Sequence, residues 1–595
     1  ERHNPLRTEQ VLSLTDRVDL SQHNYTVFLN VLAMPLIPWF GVVTSFNLVY
    51  LAVGVITALC TYALARRVTS ATRPEAWLAG LAFAWSPVLV ARGTGHFSLV
   101  AAAPLAAFLL CLINADRSRR PRDAALAGLC MAWAGFCDPY FAIYCLMLTG
   151  AYLLSRMMRL TLGKTTAPAT LRWALNVLVL AVAGLVLGLV VGKGGQFEIL
   201  GLSLSIRGLY TPVLVLTLLV IARLAIEVRP HVSVFTRGWW SPAAVRALVI
   251  GIVACAGPLS PVLYGLGSNF ISGRFVSPPT LWRSSPRGAD LLGLFEFNPN
   301  HVVSRAIDDR QVADGAVFVE STVALSLVAL AVVAFAVWRA GYRPRAGWIW
   351  LTAGFAALSL GPFVYIAGLN THIPGPWAVL RYLPLVGSAR TPTRFSIVAA
   401  LGLAILLAGA LAAIGRRYPQ HRRVLAAVVG MMLLVELSPA PRTLYSAAVP
   451  AVYDIIASDP RPVRIMELPF GVRDGTFTAG NFTARYLFFQ TIHGKKLVGG
   501  YLSRISTRRL QEVRSQPTLN ALVTMSEGGT LTPSHQAWIR ARGPGFIRRA
   551  NIGYVVVDVE QSTPHLISFV IDAWQLEEVA RDGPRVLYRP MISSE

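Results

Sequence analysis

The feature that most constrains this chain is a series of long apolar segments. They lie near residues 46–65, 76–93, 98–115, 123–140, 141–156, 172–192, 210–227, 246–265, 319–338, 347–367, 394–415 and 424–440. An apolar helix of about 20 residues is long enough to cross the hydrocarbon core of a bilayer. Charged residues make up 14% of the chain, whereas a soluble protein carries about 25%. The sequence therefore predicts a mainly α, polytopic bundle of roughly twelve transmembrane helices.

Arginine is concentrated in every second connection between these segments. The arginine-rich connections lie near 66–73, 117–122, 156–172, 223–246, 339–345 and 416–423. Short loops rich in Lys and Arg stay on the cytoplasmic side of a plasma membrane. We therefore expect the segment Glu1–Trp39 and the residues after 442 to lie outside the cytoplasm. The bias towards Ala, Arg, Leu and Val indicates a bacterial source, and hence the bacterial inner membrane.

Composition and spacing exclude several other classes of protein. The formal net charge of +24 would favour a nucleic-acid partner in a soluble protein. Here the basic residues form short clusters between apolar segments, without a zinc-finger spacing or an aromatic RNA-binding strand, so we expect no nucleic-acid partner. The six cysteines form no CxxC pair, which predicts packing residues rather than a zinc site or a disulfide framework.

The character of the chain changes after residue 442, where the charge rises and the long apolar runs stop. Arg464–Pro469 and Tyr554–Asp558 have the pattern of buried strands. Leu502–Gln516, Ser534–Arg549 and Pro564–Trp574 have the pattern of helices. We therefore predict a small C-terminal α/β domain, which the orientation of the helices places outside the cytoplasm.

These observations predict two domains, a transmembrane domain at 1–442 and a soluble extracytoplasmic α/β domain at 443–595. Within the first, residues 1–45 form an outer loop and an interfacial helix. The helix is expected over Val27–Phe40, because this proline-containing segment is too short to span a bilayer. The chain starts without Met in polar sequence, and we expect a further transmembrane helix or a cleaved signal before Glu1.

Arginines also occur in the long connections that are predicted to face outward. Arg283 lies in one of them, and Arg390 and Arg394 lie in another, just before a transmembrane helix. A guanidinium binds phosphate oxygens with a fork of donors and stays charged. These three arginines are therefore candidates to bind a lipid phosphate at the membrane edge. The alternative is contact with anionic headgroups or pairing with nearby carboxylates.

A few acidic residues and one histidine are expected on the same side. Asp16 and Asp19 lie in the first outer segment, Asp138 ends a predicted span, and His96 lies in a short glycine-rich turn. A carboxylate there can act as a general base or bind a divalent cation. The alternatives are solvated loop residues for Asp16 and Asp19 and a helix cap for Asp138. His96 is either structural or a contact to phosphate.

Two further candidates to bind substrate lie in the C-terminal domain. His493 and Tyr501 occur in a stretch of polar residues and glycines within an apolar context, over Gln490–Lys496 and Gly499–Arg504. This pattern is typical of a binding loop. It fits a plain connection between a strand and a helix equally well.

The layout resembles the GT-C superfamily of membrane glycosyltransferases, which use polyprenyl-phosphate-linked sugars. The resemblance is to uncharacterised bacterial membrane proteins of that type, and it covers most of the chain. It is carried by Pro87–Leu105, which contains Gly95-His96, by Arg390–Phe395, and by His493–Lys495 with Gly500-Tyr501.

The resemblance implies sugar transfer from a polyprenyl-phosphate donor to a cell-envelope glycan, lipid or protein. It also implies a catalytic carboxylate in the first outer loop, which corresponds to Asp16 or Asp19 unless the family acid precedes Glu1. Some relatives use a divalent cation, Mg²⁺ or Mn²⁺, and Asp138 is the comparable candidate ligand. The competing hypothesis is a non-catalytic polyprenyl-lipid flippase, a transporter or a scaffold for envelope assembly.

Overall fold

The structure is a computed structural model of the chain. It describes residues 6–14, 18–23, 26–164, 167–192, 195–199, 202–206, 208–235, 241–276, 282, 287–307, 315–442, 444–475 and 477–591. The chain forms two compact units. The sheet unit comprises Glu1–Tyr25, Ser260–Ser277 and Leu444–Glu595, and the helical unit comprises Thr26–Leu259 and Pro278–Thr443.

The described part of the helical unit consists mainly of α-helices. The α-helices between residues 26 and 443 are Val27–Ala33, Ile37–Val68, Arg73–Ala84, Pro87–Arg92, Phe97–Val100, Ala103–Ser118, Pro121–Cys137, Pro139–Met157, Ala169–Gly192, Tyr210–Val228, Pro242–Ile271, Val302–Ile307, Gly315–Ser321, Leu327–Arg339, Ala346–Ser359, Trp377–Leu380, Ser396–Arg417 and Arg422–Leu437. Antiparallel strand pairs are formed by Met158–Leu162 with Pro230–Val234, Gly195–Ile199 with Leu202–Ile206, and Phe363–Ile366 with Leu369–Pro374.

Within the described residues, seven helical segments are long and apolar enough to cross a membrane. They are Ile37–Val68, Phe97–Ser118, Pro139–Met157, Ala169–Gly192, Tyr210–Val228, Pro242–Ile271 and Pro392–Arg417. Leu327–Arg339 and Ala346–Ser359 are shorter apolar helices. The chain is therefore a mainly helical membrane protein, with fewer long spans than the roughly twelve expected from its apolar runs.

The apolar run at 76–93 is not one continuous helix. It divides into Arg73–Ala84 and Pro87–Arg92. Ser86 lies between them with an extended backbone, at φ −56° and ψ 148°. This is the conformation that a following proline favours, because the proline ring clashes with a helical residue before it. Hydropathy alone does not detect such a break.

The run at 319–338 also divides, into Gly315–Ser321 and Leu327–Arg339. The buried carboxylate of Glu436 caps the start of the second helix, and Glu436 itself lies on the helix Arg422–Leu437. Glu436 Oε1 accepts a hydrogen bond from the first backbone N–H of Leu327–Arg339 at 2.5 Å, and its Oε2 accepts one from Ser326 at 2.5 Å. A carboxylate at this position accepts hydrogen bonds from N–H groups that have no partner within the helix, and its negative charge complements the positive end of the helix dipole.

The core of the helical unit surrounds Ser396–Arg417. The most apolar stretch of Pro392–Arg417 is completely buried by protein. In contrast, no residue in the most apolar stretch of Pro242–Ile271 is buried. Close contact with neighbouring helices depends on glycine, because a Cβ at Gly402 would overlap Thr352. The buried helix thus organises the bundle, while Pro242–Ile271 presents its apolar surface to the lipid.

The segment expected to be an interfacial helix, Val27–Phe40, divides between two helices. Val27–Ala33 forms a short helix, with the ring of Phe28 at 5.2 Å from that of Trp133. The remainder begins the long helix Ile37–Val68, which kinks at Gly41, where φ is +69°. Glycine adopts this left-handed conformation without steric cost.

The sheet unit is built on a five-stranded mixed sheet. The strand order is Lys496–Leu497, Arg464–Leu468, Ile552–Asp558, Arg585–Pro590 and Leu576–Asp582, in which the first three strands are parallel and the last two pair antiparallel. A three-stranded sheet has the order Thr478–Gly480, Gly471–Arg473, Gly500–Tyr501. The helices of this unit after residue 444 are Val452–Ser458, Arg485–His493, Thr507–Ser515, Pro517–Ser526, Pro533–Ala550 and Pro564–Trp574.

The N-terminal segment, Glu1–Tyr25, is part of the sheet unit. The N–H of Leu12 donates to the carbonyl of Gly499 at 3.1 Å, and that of Ser13 donates to Leu497 at 3.1 Å. Val11 and Leu12 are buried in the same hydrophobic core as Met466. The segment thereby covers the edge of the sheet, which would otherwise present unpaired backbone groups.

Candidate anion-binding site

Three connections of the helical unit bring charged side chains together. The first is the turn that follows Pro87–Arg92 and ends at His96, and the second is the end of Gly315–Ser321. The third is the 3₁₀ turn Pro392–Phe395, which leads into the buried helix. Pro392 favours the start of a helical turn because its ring fixes φ near the helical value. The sequence therefore fixes Arg394 at the entrance to an apolar helix.

The side chain of Glu320 lies among three basic groups. Arg394 Nε donates to Glu320 Oε1 at 3.1 Å and to Oε2 at 3.3 Å, and its Nη2 also donates to Oε1. His96 Nε2 lies 3.2 Å from Glu320 Oε1, and Arg92 Nη2 lies 3.8 Å from Oε2. We refer to Arg92, His96, Glu320 and Arg394 as the Glu320 cluster.

Arg92 is the most deeply buried member of the Glu320 cluster, with a side chain that is 0% exposed. Its Nη1 donates to the carbonyls of Val319 and Thr322 at 2.9 and 2.8 Å. Those carbonyls lie at the end of Gly315–Ser321, where the helix dipole favours a cation. Arg92 thereby holds the helix that carries Glu320. Its Nε and Nη2 have no hydrogen-bond partner among the described residues.

Tyr140 and Asp138 extend the Glu320 cluster. The Arg394 guanidinium lies over the Tyr140 ring, 4.7 Å from its centroid, and Tyr140 Oη accepts a hydrogen bond from Thr391 N at 3.0 Å. Asp138 is fully buried and caps the helix Pro139–Met157 by accepting from Tyr140 N at 2.8 Å. Three sequence candidates, His96, Asp138 and Arg394, thus lie in one region of the fold.

The electrostatics of the Glu320 cluster favour an ionised carboxylate and a neutral imidazole. Burial acts to raise the pKa of Glu320, but the charges and hydrogen bonds of Arg394, with Arg92 and His96, lower that pKa to about 2. Burial, followed by the charge of Arg394, lowers the pKa of His96 to about 4. A carboxylate with so low a pKa is a weak base at neutral pH, so its chemistry here is to hold the guanidiniums.

Glu320 is the residue that the sequence analysis missed. It stands near the start of the apolar run 319–338, on the side predicted to face outward. A carboxylate at the edge of an apolar segment is costly unless it has a partner. That rule, applied to every apolar run, would have selected it.

The other candidates from the helical unit and the N-terminal segment lie elsewhere or outside the described residues. Arg390 is half-buried in the connection before Pro392, and its backbone N–H donates to Ser388 at 3.0 Å. Asp19 is exposed, and its carboxylate accepts from the N–H and hydroxyl of Ser21 in a local turn. Asp16 and Arg283 lie outside the residues that the structure describes.

His493 and Tyr501 belong to the sheet unit. His493 is buried and stacks on Tyr453 at 5.8 Å, and its Nδ1 accepts from the N–H of Lys495 at 3.0 Å. Burial, with the charge of Lys495, lowers the pKa of His493 to about 4. Tyr501 is half-buried on a strand that pairs with Arg473.

The part of the chain that the structure describes contains no group of three or more His, Cys, Asp or Glu side chains placed to hold a metal ion. The Glu320 cluster combines two guanidiniums with one carboxylate, a composition that repels cations and attracts anions. The Glu320 cluster is therefore a candidate anion site.

Comparisons with known proteins give a partial family match and several structural matches. Residues 28–221 match a family model described as a domain of unknown function, DUF6311. No match was found among curated proteins. A cryo-EM structure of the arabinofuranosyltransferase AftD from Mycobacteria is similar with a TM-score of 0.44 and 15% identity, covering 92% of this chain and 35% of that chain. The chain thus spans about a third of the length of that enzyme.

Proposed function

We propose that this protein is a membrane glycosyltransferase of the GT-C type. It would transfer a sugar from a polyprenyl-phosphate-linked donor to a cell-envelope glycan, lipid or protein. The reaction would take place on the extracytoplasmic face of a bacterial plasma membrane, on which residues 443–595 would also lie. The observation that carries the proposal is the convergence of two guanidiniums and an imidazole at the entrance to a buried apolar helix.

The position of the Glu320 cluster suits the phosphate of a lipid. Arg394 stands at the start of the apolar segment Pro392–Arg417. Because that segment is buried by protein, a lipid tail would lie along the more exposed helices around it, with its phosphate at the end of those helices, where the hydrocarbon stops. Guanidinium is the appropriate partner there because its fork of donors matches phosphate oxygens and its charge persists on burial.

The proposed transfer uses this charge in the transition state. An oxygen of the acceptor forms a bond to the anomeric carbon, and the bond from that carbon to the phosphate oxygen breaks. The electron pair leaves with the polyprenyl phosphate, and the acceptor proton passes to a carboxylate. Arg92 and Arg394 would stabilise the negative charge that develops on the leaving phosphate. Asp16 or Asp19 is the proposed proton acceptor, since the pKa of Glu320 is lowered to about 2.

The remaining candidates take supporting roles in the proposal. Arg283 and Arg390 would contact the pyrophosphate, phosphate or headgroup region of the lipid, and Asp138 would position Tyr140 and, through it, Arg394. His493 and Tyr501 would contact the acceptor. A divalent cation, Mg²⁺ or Mn²⁺, would assist through carboxylate oxygens if the reaction requires one.

The test is sugar transfer by purified full-length protein from a panel of radiolabelled polyprenyl-phosphate sugars to envelope extract, with and without a chelator. We expect wild-type protein to transfer label, and either Asp16→Asn or Asp19→Asn to abolish transfer. Glu560→Gln, at an exposed carboxylate of the sheet unit, is the matched control. Folded protein that transfers no sugar from any donor would refute the enzymatic proposal.

A non-catalytic polyprenyl-lipid flippase, transporter or assembly scaffold is the second candidate. One observation favours it, namely that the carboxylate nearest to Arg394, Glu320, accepts hydrogen bonds from Arg394 Nε and Nη2 and is not free to activate an acceptor. In that case wild-type protein would bind polyprenyl phosphate but transfer nothing, and Arg394→Gln would weaken the binding. The transfer assay and a binding assay together separate the two candidates.

A further inference from the structure

We propose that Glu320 is an internal competitor for the lipid phosphate. Its carboxylate occupies the donors of Arg394 that a phosphate would use, and so it lowers the affinity of the site for that ligand. The inference rests on the proposed function, because it takes the phosphate of a polyprenyl lipid as the ligand. It concerns how tightly the lipid is held rather than whether sugar is transferred.

The hydrogen bonds of Arg394 define the competition. Its Nε and Nη2 both donate to Glu320, in the side-on arrangement by which a guanidinium also binds phosphate. The flat face of the same guanidinium lies over the Tyr140 ring, 4.7 Å from the ring centroid. The edge of Arg394 that carries these donors therefore serves either Glu320 or a phosphate.

Exposure of the side chains shows the direction from which a ligand would arrive. Arg92 is 0% exposed and Arg394 is 14% exposed, whereas Glu320 is 27% exposed and His96 is 33% exposed. The two guanidiniums therefore form the floor of the Glu320 cluster, and Glu320 and His96 form its rim. A ligand that approaches the floor meets the carboxylate first.

The two guanidiniums of the floor have more hydrogen-bond donors than the carboxylate of Glu320 engages. Arg92 Nε and Nη2 are buried without a hydrogen-bond partner among the described residues. An unsatisfied buried donor is costly, and the cost is larger when the group is charged. A carboxylate has two oxygens, whereas the polyprenyl monophosphate that the proposed transfer releases has three that are free. A phosphate could therefore accept from Arg394 and Arg92 at once.

Asp138 does not perform the same function as Glu320. Its carboxylate accepts from Tyr140 N at 2.8 Å and caps Pro139–Met157. A cap of this kind is tied to the backbone of its own helix. Displacement of Asp138 would uncap the helix, whereas displacement of Glu320 breaks contacts between side chains only.

The experiment measures equilibrium binding to full-length protein in nanodiscs of neutral lipid. Radiolabelled polyprenyl monophosphate and inorganic phosphate are titrated separately, and a third series adds phosphatidylglycerol to the bilayer as a competitor. The variants are Glu320→Gln, which removes the charge, and Glu320→Asp, which keeps it. Glu227→Gln removes the carboxylate of an exposed pair with Arg223 and is the matched control. Thermal melting confirms that each variant is folded.

We expect Glu320→Gln to bind polyprenyl monophosphate on the order of ten-fold more tightly than wild type, as loss of a competing charge-assisted contact predicts. Glu320→Asp and Glu227→Gln should bind like wild type, and phosphatidylglycerol should displace little label. Unchanged or weaker binding by Glu320→Gln overturns the inference. A gain confined to inorganic phosphate, or complete displacement by phosphatidylglycerol, overturns the assignment of the ligand. Absence of binding by wild type and all variants overturns the proposed function as well.

Discussion

Replacement of Glu467 by Gln is expected to stabilise the sheet unit at alkaline pH and to change little in acid. Glu467 is 3% exposed on the strand Arg464–Leu468, and its carboxyl oxygens accept from Tyr453 Oη at 3.0 and 3.2 Å. Burial raises the pKa of Glu467 from 4.5 to about 8, although the charge of Arg585 acts in the opposite direction. The carboxyl group is therefore protonated in the folded protein at neutral pH.

The size of the change in stability follows from the difference between the pKa of Glu467 in the folded protein, about 8, and its ordinary value of 4.5. Because the folded pKa lies above the unfolded one, the stabilisation is complete below pH 4.5 and is lost as the pH rises towards 8. At about 1.4 kcal/mol for each pH unit, the total loss is on the order of 5 kcal/mol. Gln is nearly isosteric and does not ionise. The free energy of unfolding of the variant relative to wild type should therefore increase by about 2 kcal/mol between about pH 6 and pH 8.

The measurement is urea-dependent pulse proteolysis of full-length protein at a series of pH values. Fragments from residues 444–591 are followed by mass spectrometry, so that the readout reports the sheet unit. Glu577→Gln, at an exposed position on the edge strand Leu576–Asp582, is the control and should follow wild type. Parallel pH profiles for wild type and Glu467→Gln would refute the argument, because they would mean that Glu467 ionises normally.

Two further predictions concern buried ionic contacts. Arg585→Met should destabilise the sheet unit by about 3 to 5 kcal/mol in the same assay, because it leaves the buried Asp558 without the guanidinium that lies at 2.8 Å. Arg581→Gln, at the protein surface, should not change stability, and an equal effect of both changes would contradict the reasoning. Glu436→Ala should accelerate amide exchange at the start of the helix Leu327–Arg339 by about ten-fold or more, since a partly buried N–H loses its acceptor. Glu436→Gln should fall between it and wild type, and unchanged exchange in Glu436→Ala would contradict the prediction.

The strongest local patterns were sufficient to predict elements of the sheet unit. Arg464–Leu468 and Ile552–Asp558 are buried strands, and Pro564–Trp574 is a helix. The β-branched runs of the strands and the apolar periodicity of the helix are clear signals that can be read from a short stretch of sequence. The position of the N-terminal segment was not predictable in this way, because its hydrogen bonds to Leu497 and Gly499 join parts of the chain that are far apart in sequence.

The candidate site was predictable in part for a related reason. Arg394 was selected because it lies just before an apolar segment, and His96 because it lies in a short glycine-rich turn. The contact between them depends on Glu320, which lies more than 70 residues from Arg394 in sequence. No local sequence pattern predicts a contact between residues so far apart along the chain. The buried position of Arg92, at the end of a short helix after the break at Ser86, likewise depends on tertiary packing.

In the proposed transfer, Arg394 binds the phosphate of the sugar donor. The most direct measurement is the rate of sugar transfer by Arg394→Gln, with the double variant Glu320→Gln/Arg394→Gln to keep the charge balanced. Loss of a preorganised donor to a developing anion should reduce the rate by about 10² to 10³ in both variants. Transfer at the wild-type rate by the folded double variant would contradict the account, because the guanidinium would then have no part in holding the phosphate.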